Sequence, residues 1–397
     1  MNLDDFRTLL TDRGRRALSE AVEATAAGLD PVAAATKLRK TYDQGLTSAA
    51  LTQSALRERA TEKFGADARV MFFTRAGLEQ STRREVADHR ARRVAARGGS
   101  PSVADLCSGI GGDLIALARA GCHVHAVDAD PLTAAVAAAN AEALGLAGRV
   151  TVSTADAREI DVSSYDVTFL DPARRTSKGR TFDPMAYSPT WPEVMEIVAR
   201  SRSACLKVAP GIPYDFLPEG AEAEWVSYKG EVKEAVLWCG ALADAGPGET
   251  VRRATLLPPG LTLGPTGVEE AAPVGEIGKF LYEPDGAAVR AHLVADVAHL
   301  VEGRLMDPMI AYVTSDARVS TPWASCYEIG HVLPFSLKRL RAVLRDEGVG
   351  SVTIKKRGSA VDIEKLRKDL KLSGGNSATV ILTRIHDRPF ALICTPQ

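Results

Sequence analysis

The 397-residue sequence predicts an α/β protein: a Rossmann-like, doubly wound, mostly parallel sheet of seven strands, with a helical N-terminal region and a small α+β C-terminal domain. Three observations predict it. Residues 1–97 carry apolar positions at helical spacing. From Ser102 short apolar runs alternate with helical stretches. After Leu242, glycine and proline punctuation separates a second mixed pattern.

In the N-terminal region, 1–97, Leu51, Ala55 and Leu56 illustrate the helical spacing, β-branched runs are few, and Gly98-Gly99-Ser100-Pro101 breaks the pattern as linker chemistry. Over 98–242, strands are expected at 103–107, 123–127, 150–152, 167–170 and 205–209. Helices are expected at 114–120, from Pro131, and at 191–202. Such alternation builds crossover units on a parallel sheet covered on both faces. Residues 225–228 and 232–238, joined around Lys229-Gly230, suggest added antiparallel strands. Residues 243–397 hold Gly246-Pro247-Gly248 and Pro258-Pro259-Gly260, then expected helices at 289–301, 336–345 and 363–370 and strands at 352–355, 379–384 and 390–394. No internal repeat is evident.

Hydrophobic residues at 45% and charged residues at 25% are ordinary for a globular protein, and the length fits two or three domains. The acidic start Met1-Asn2-Leu3-Asp4-Asp5 is unlike a secretory signal, and no run is apolar enough to cross a membrane. The six cysteines are widely spaced with no Cys-x-x-Cys pair, which predicts reduced thiols and a cytoplasmic location. The net charge of −1 hides an uneven distribution: 14 Lys and Arg against 7 Asp and Glu over 37–97, and 11 against 5 over 334–371. Basic segments flanking an acidic centre (215–250) fit a nucleic-acid footprint, and solvated helix faces give similar counts.

The expected first strand ends in Asp105-Leu106-Cys107-Ser108-Gly109-Ile110-Gly111-Gly112-Asp113 and runs directly into a helix. Glycines there let backbone approach a ligand closely. The second strand ends at Asp128, where a carboxylate can accept both ribose hydroxyls of a nucleotide. Asp156-Ala157 follow the third strand, a placement suited to an adenine amine. A nicotinamide or flavin dinucleotide would share this arrangement, but its fingerprint wants a third glycine at the position of Leu114, and Asp105 would repel a pyrophosphate. A cofactor with a cationic amino group, S-adenosylmethionine, satisfies both points.

The fourth strand ends in Leu170-Asp171-Pro172-Ala173-Arg174-Arg175. Enzymes that methylate amino nitrogens carry Asp or Asn, Pro, Pro and an aromatic residue here: the carboxylate or amide orients the exocyclic amine and the ring stacks on the base. Asp171 and Pro172 fit; Ala173 and Arg174 replace the second proline and the ring. Arg174 can stack its guanidinium on a base or grip a phosphate, with Arg175, Lys178 and Arg180 as further loop cations. Phe182, Tyr187 and Trp191 are stacking or core candidates. A cysteine nucleophile would belong beyond the fifth strand, whereas Cys205 lies inside it and is expected in the core. His123 and His125 alternate on a strand without cysteine ligands, so no metal is expected.

These residues resemble the class I S-adenosylmethionine-dependent methyltransferases over roughly 70–242. The loop 105–112 and Asn140-Ala141-Glu142 resemble most the trimethylguanosine synthase group of RNA methyltransferases. The resemblance implies that Asp105, Gly109, Gly111, Asp128 and Asp156 line the cofactor, and Ser108, Ala157 and Asp171 are expected beside them. In that group a Thr and Glu pair upstream of the first strand helps close the site; Phe73-Thr74-Arg75-Ala76-Gly77-Leu78-Glu79-Gln80 occupies the comparable place, without the accompanying proline, and puts Thr74 there. The whole chain is also similar to bacterial methyltransferases with a THUMP-like C-terminal domain. In that domain the helix opening at Pro334-Phe335-Ser336-Leu337-Lys338-Arg339-Leu340-Arg341 and the turn Lys355-Lys356-Arg357-Gly358 supply cations suited to RNA phosphates. The expectation is an enzyme that methylates RNA, tRNA or rRNA, by direct displacement, with Asp171, Pro172 and Arg174 at the acceptor and no metal or membrane. The alternatives are a small-molecule or protein methyltransferase, or a non-catalytic binding protein of the same fold.

Overall fold

The computed structural model describes residues 1–173, 175–176, 179–180, 183–246, 248–267 and 271–397. Its contacts divide the chain into two units: Met1–Ala223 with Glu234–Val251, and Glu224–Lys233 with Arg252–Gln397.

The first unit opens with helices α1 (Leu3–Leu10), α2 (Asp12–Ala26), α3 (Pro31–Leu38) and α4 (Gln44–Phe64). Each starts where a polar side chain can accept a backbone N–H of its first turn: Asn2, Thr11, Asp30 and Asp43. Gly65, at φ +58°, ends α4. An extended stretch then leads into α5 (Arg75–Gln80) and α6 (Arg84–Ala95).

Next come β1 (Ser102–Leu106), α7 (Gly112–Arg119), β2 (His123–Asp128), α8 (Pro131–Ala143), β3 (Val150–Thr154), β4 (Val167–Leu170), α9 (Trp191–Arg200) and β5 (Ser203–Val208). The hairpin β6 (Glu222–Tyr228) and β7 (Glu231–Gly240) follows, its segment Glu224–Lys233 counting with the second unit. These seven strands run in the order β3-β2-β1-β4-β5-β7-β6 within a sheet of nine, two more than the seven expected. Strands β1 to β5 are parallel, and β7 runs antiparallel to β5. The near-continuous apolar residues of β1, β4 and β5 are those of strands covered on both faces. The order reverses between β1 and β4, so a crevice opens where Leu106, Asp128 and Leu170 end their strands.

The second unit pairs β8 (Val251–Leu257) with β9 (Leu261–Leu263) antiparallel. It also holds β10 (Phe280–Pro284), α10 (Gly286–Arg290), α11 (Val294–Leu300), β11 (Arg304–Asp307), β12 (Ile310–Ser315), β13 (Ala324–Pro334), α12 (Leu337–Asp346), β14 (Val349–Lys356), α13 (Ile363–Leu370), β15 (Asn376–Ile385) and β16 (Arg388–Pro396). Seven of its strands form a sheet in the order β11-β12-β10-β13-β16-β15-β14. Leu340, Leu344, Leu366 and Leu370 of the amphipathic α12 and α13 pack on Val380, Leu382, Ala391 and Ile393 of that sheet.

Two expectations change here. The helix expected over 289–301 is two helices, because His292 takes a left-handed backbone at φ +56° between them. Strands β8 to β13 were not expected. In β13 half-buried and exposed positions alternate about Gly330 and His331, which dilutes its apolar signal.

Candidate active site

The loop after β1 turns through the left-handed region at Cys107 (φ +62°), Gly109 (φ +57°) and Gly111 (φ +91°). Gly111 is required on two counts: its φ, and a Cβ there would lie 2.4 Å from Leu114 Cδ2. Leu114, standing where a dinucleotide fold wants glycine, thus fills the space under the loop. Asp128 is tied to this turn: Gly109 N donates to Oδ2 at 2.9 Å and Asp130 N to Oδ1 at 3.0 Å. Burial raises its carboxyl above the ordinary range, and these two donors offset part of that.

Asp105 lies beneath, fully buried, and neither carboxylate oxygen has a hydrogen-bond donor among the described residues. Burial first, then the charges of Asp113 and Asp171, pushes this carboxyl well above its usual value. Ser108 Oγ is likewise buried without a partner there.

A roof is delivered from outside the sheet. Thr74 Oγ1 accepts from Gly77 N at 2.9 Å and starts α5. Gln53 pairs with both backbone groups of Phe73, its Oε1 accepting from N at 3.0 Å and its Nε2 donating to O at 2.6 Å. Lys63 Nζ donates to the carbonyls of Leu78, Glu79 and Ser81 at 2.7, 3.0 and 2.9 Å, and burial lowers this lysine to about 8.

Roof and loop enclose a cleft of about 330 Å³ lined by Thr74, Gly77, Thr82, Ser108, Gly109, Asp113, Asp128, Asp171 and Pro172 among others. An adjoining hollow of about 340 Å³ is lined by Asp130, Asp156, Ala157, Tyr187 and Glu193. The two share Cys107, Asp128 and Ala173. Of the expected site residues, Thr74, Ser108, Gly109, Asp171 and Pro172 line the first, Asp156 and Ala157 the second, and Asp128 both. Gly111 shapes the turn from below, and Asp105 lies under it. Arg174, Lys178 and Phe182 lie outside the described residues, as do the side chains of Arg175 and Arg180. Asp156 is already engaged: Arg158 N and Nε each donate to its Oδ1 at 2.9 Å and Nη2 to Oδ2 at 2.6 Å, holding its carboxyl at about 2. An adenine amine would have to use the lone pairs left over. Tyr187 and Trp191 are core residues at 3% and 8% exposure, and buried Cys205 has its thiol pushed well above the ordinary range.

Sequence reasoning missed the network behind Asp171. Lys207 Nζ donates to Asp171 Oδ2 at 2.6 Å and to Thr82 Oγ1 at 2.8 Å. Thr82 in turn donates to Asp113 Oδ2 at 2.8 Å. Arg90 pairs Asp113 with Glu234. The available signal was a lysine between Leu206 and Val208 in an otherwise apolar strand. Asp105, Asp113, Asp128 and Asp171 against the cations Lys207 and Arg90 leave a surplus of acid, and that surplus, with the orphaned oxygens of Asp105, fits a ligand carrying both an ammonium and a sulfonium.

The fold and this site define a class I S-adenosylmethionine-dependent methyltransferase. A Mycobacterium tuberculosis protein (strain H37Rv) described as an uncharacterized S-adenosylmethionine-dependent methyltransferase is 35% identical over 355 residues, covering 86% of this chain and 95% of its own. The chain belongs to this family: it is an enzyme whose cofactor is S-adenosylmethionine, and it carries a THUMP-like domain. Residues 101–194 match the family described as RNA cap guanine-N2 methyltransferase, 324–396 that described as THUMP domain-like, and 2–60 a domain of unknown function. A crystal structure described as a methyltransferase from Porphyromonas gingivalis W83 has the same fold along nearly the whole chain, with TM-score 0.78, 23% identity and coverage of 96% and 98%. Among the described residues no helix is long and apolar enough to cross a membrane.

Proposed function

We propose that this enzyme methylates a nucleobase of RNA, in tRNA or rRNA, by direct displacement. The observation that carries the reading is the match of 101–194 to RNA cap guanine-N2 methyltransferases, since that stretch contains both the glycine loop and Asp171. The three-part organisation, 1–97, 98–242 and 243–397, belongs to the same reading, and the family matches fall one in each part.

When bound, S-adenosylmethionine supplies an electrophilic methyl group on a positively charged sulfur. Thr74, Asp105, Ser108, Gly109, Gly111, Asp128, Asp156 and Ala157 hold it, with Asp105 for the ammonium and Asp128 for the ribose. Asp171 orients the acceptor. Its Oδ1, which accepts no hydrogen bond among the described residues, takes one N–H of an exocyclic amine and turns the lone pair toward the methyl carbon. Displacement would form the N–C bond at the expense of the cofactor's C–S bond, and the nitrogen's proton would leave to water. Pro172 shapes the floor beneath the acceptor, and Arg174 is assigned to the base or its phosphate.

Incubation of the full chain with radiolabelled S-adenosylmethionine tests this. The probes are total RNA, total protein and the small-molecule fraction of cells lacking the gene. Label in RNA supports the reading, and label confined to either other fraction overturns it.

A further inference from the structure

Lys207 is 4% exposed in a strand whose every residue is buried. A buried ammonium is costly unless it is paired. Its pair is Asp171, at 2.6 Å, with Thr82 as a second acceptor. Lys207 does not line the cleft, whereas Asp171, Thr82 and Asp113 do. Lys207 therefore makes no direct contact with a ligand there, and its hydrogen bonds to the cleft wall go to Asp171 and Thr82. The other acids have different compensation: Arg90 serves Asp113, and two backbone amides serve Asp128.

We infer that Lys207 is a positioning residue for methyl transfer, holding Asp171 as a neutral pair so that its carboxylate serves the acceptor amine instead of clamping the cofactor's sulfonium. The inference rests on the reading of Asp171 as the acceptor-orienting residue. The physical need is specific to this reaction. Positive charge leaves sulfur in the transition state, so an uncompensated carboxylate beside it stabilises the ground state more than the transition state and slows transfer. Compensation by Lys207 removes that penalty while leaving Asp171 Oδ1 for an N–H. Thr82, which accepts from Lys207 and donates to Asp113, fixes the ammonium between the two carboxylates.

S-adenosylmethionine and S-adenosylhomocysteine share every group except the methyl and the sulfonium charge, so the ratio of their dissociation constants reads the field at sulfur. Calorimetry on the full chain at pH 8 gives that ratio for four proteins. Lys207→Met should shift it toward S-adenosylmethionine by about three- to tenfold, Asp171→Asn toward S-adenosylhomocysteine, and the double variant should return near wild type because the pair is again uncharged. Lys207→Arg, which keeps the charge, should stay near wild type. If Asp171→Asn moves the ratio and Lys207→Met does not, or if Lys207→Met weakens both ligands equally, the proposal is overturned. If Asp171→Asn leaves the ratio unchanged, Asp171 does not face sulfur, and the reading beneath the proposal fails with it. Should Lys207→Met not fold, Lys207→Gln is read in the same way.

Discussion

Asn140 grips both backbone groups of Phe72: its Oδ1 accepts from Phe72 N at 2.6 Å and its Nδ2 donates to Phe72 O at 3.0 Å. The same Nδ2 donates to Ile110 O, in the glycine loop, at 2.9 Å. One fully buried amide on α8 thus joins the extended stretch leading to the roof with the loop beneath it. Asn140→Ala would leave a buried N–H and two carbonyls short of a partner, a cost of about 2–4 kcal/mol. Chemical denaturation should show that loss and calorimetry an accompanying drop in cofactor affinity of about tenfold; unchanged affinity would separate Asn140 from the site.

Gly77 marks how closely the roof sits. A Cβ there would lie 2.3 Å from Ile110 Cγ2 and 2.7 Å from Thr74 Oγ1. Gly77→Ala should lift the roof and weaken S-adenosylhomocysteine binding, with about 1–3 kcal/mol lost from overpacking. Wild-type affinity in this variant would show that α5 does not cover the ligand.

Asp105 separates stability from binding. Its folded carboxyl is held above the unfolded value, chiefly by burial. Its stabilising contribution is therefore complete below the unfolded value near pH 4 and is lost as pH rises toward the folded one. Asp105→Asn, neutral at every pH, should flatten that slope and raise stability at pH 7 by about 1–2 kcal/mol. Cofactor affinity should fall at least about tenfold, since the ammonium loses its anion. A variant less stable than wild type but binding normally would contradict both halves.

In the second unit the turn expected to grip phosphates is engaged internally. Lys355 pairs with Glu283 and lies over the Tyr327 ring, Lys356 Nζ donates to Val361 O at 3.0 Å, and Arg357 lies over Tyr312 and donates to Ala311 O at 2.5 Å. Replacing Lys355 and Arg357 with Ala should chiefly lower the melting temperature. Lys338, Arg339, Lys365 and Lys368 are exposed on α12 and α13. Their replacement by Ala should weaken RNA binding and flatten its dependence on salt, as measured by filter binding across a salt series. The opposite pattern would restore the phosphate role to the turn.

The sheet and its loop were legible because their signals are local. Alternating apolar runs, Gly109 and Gly111, Leu114 in place of glycine, and Asp128 at the next strand end lie within one crossover unit. What escaped is held by distant pairs. Lys207 meets Asp171 across 36 residues, Asn140 meets Phe72 across 68, and Gln53 meets Phe73 across 20, with no spacing to announce any of them. Asp156 shows the opposite failure. Its position was legible, but Arg158, only two residues on, occupies its carboxylate. The lysine and arginine of the Lys355-Lys356-Arg357 turn were visible as charge, whereas their partners Glu283 and Ala311 come from strands the sequence pattern did not reveal.

The most direct test compares methylated nucleosides by mass spectrometry in RNA from cells with the gene, without it, and complemented with wild type or with Asp171→Ala. RNA methylation through this site predicts that one methylated nucleoside disappears with the gene, returns with wild type, and stays absent with Asp171→Ala although that variant still binds S-adenosylmethionine. An unchanged nucleoside profile in the strain without the gene would contradict it.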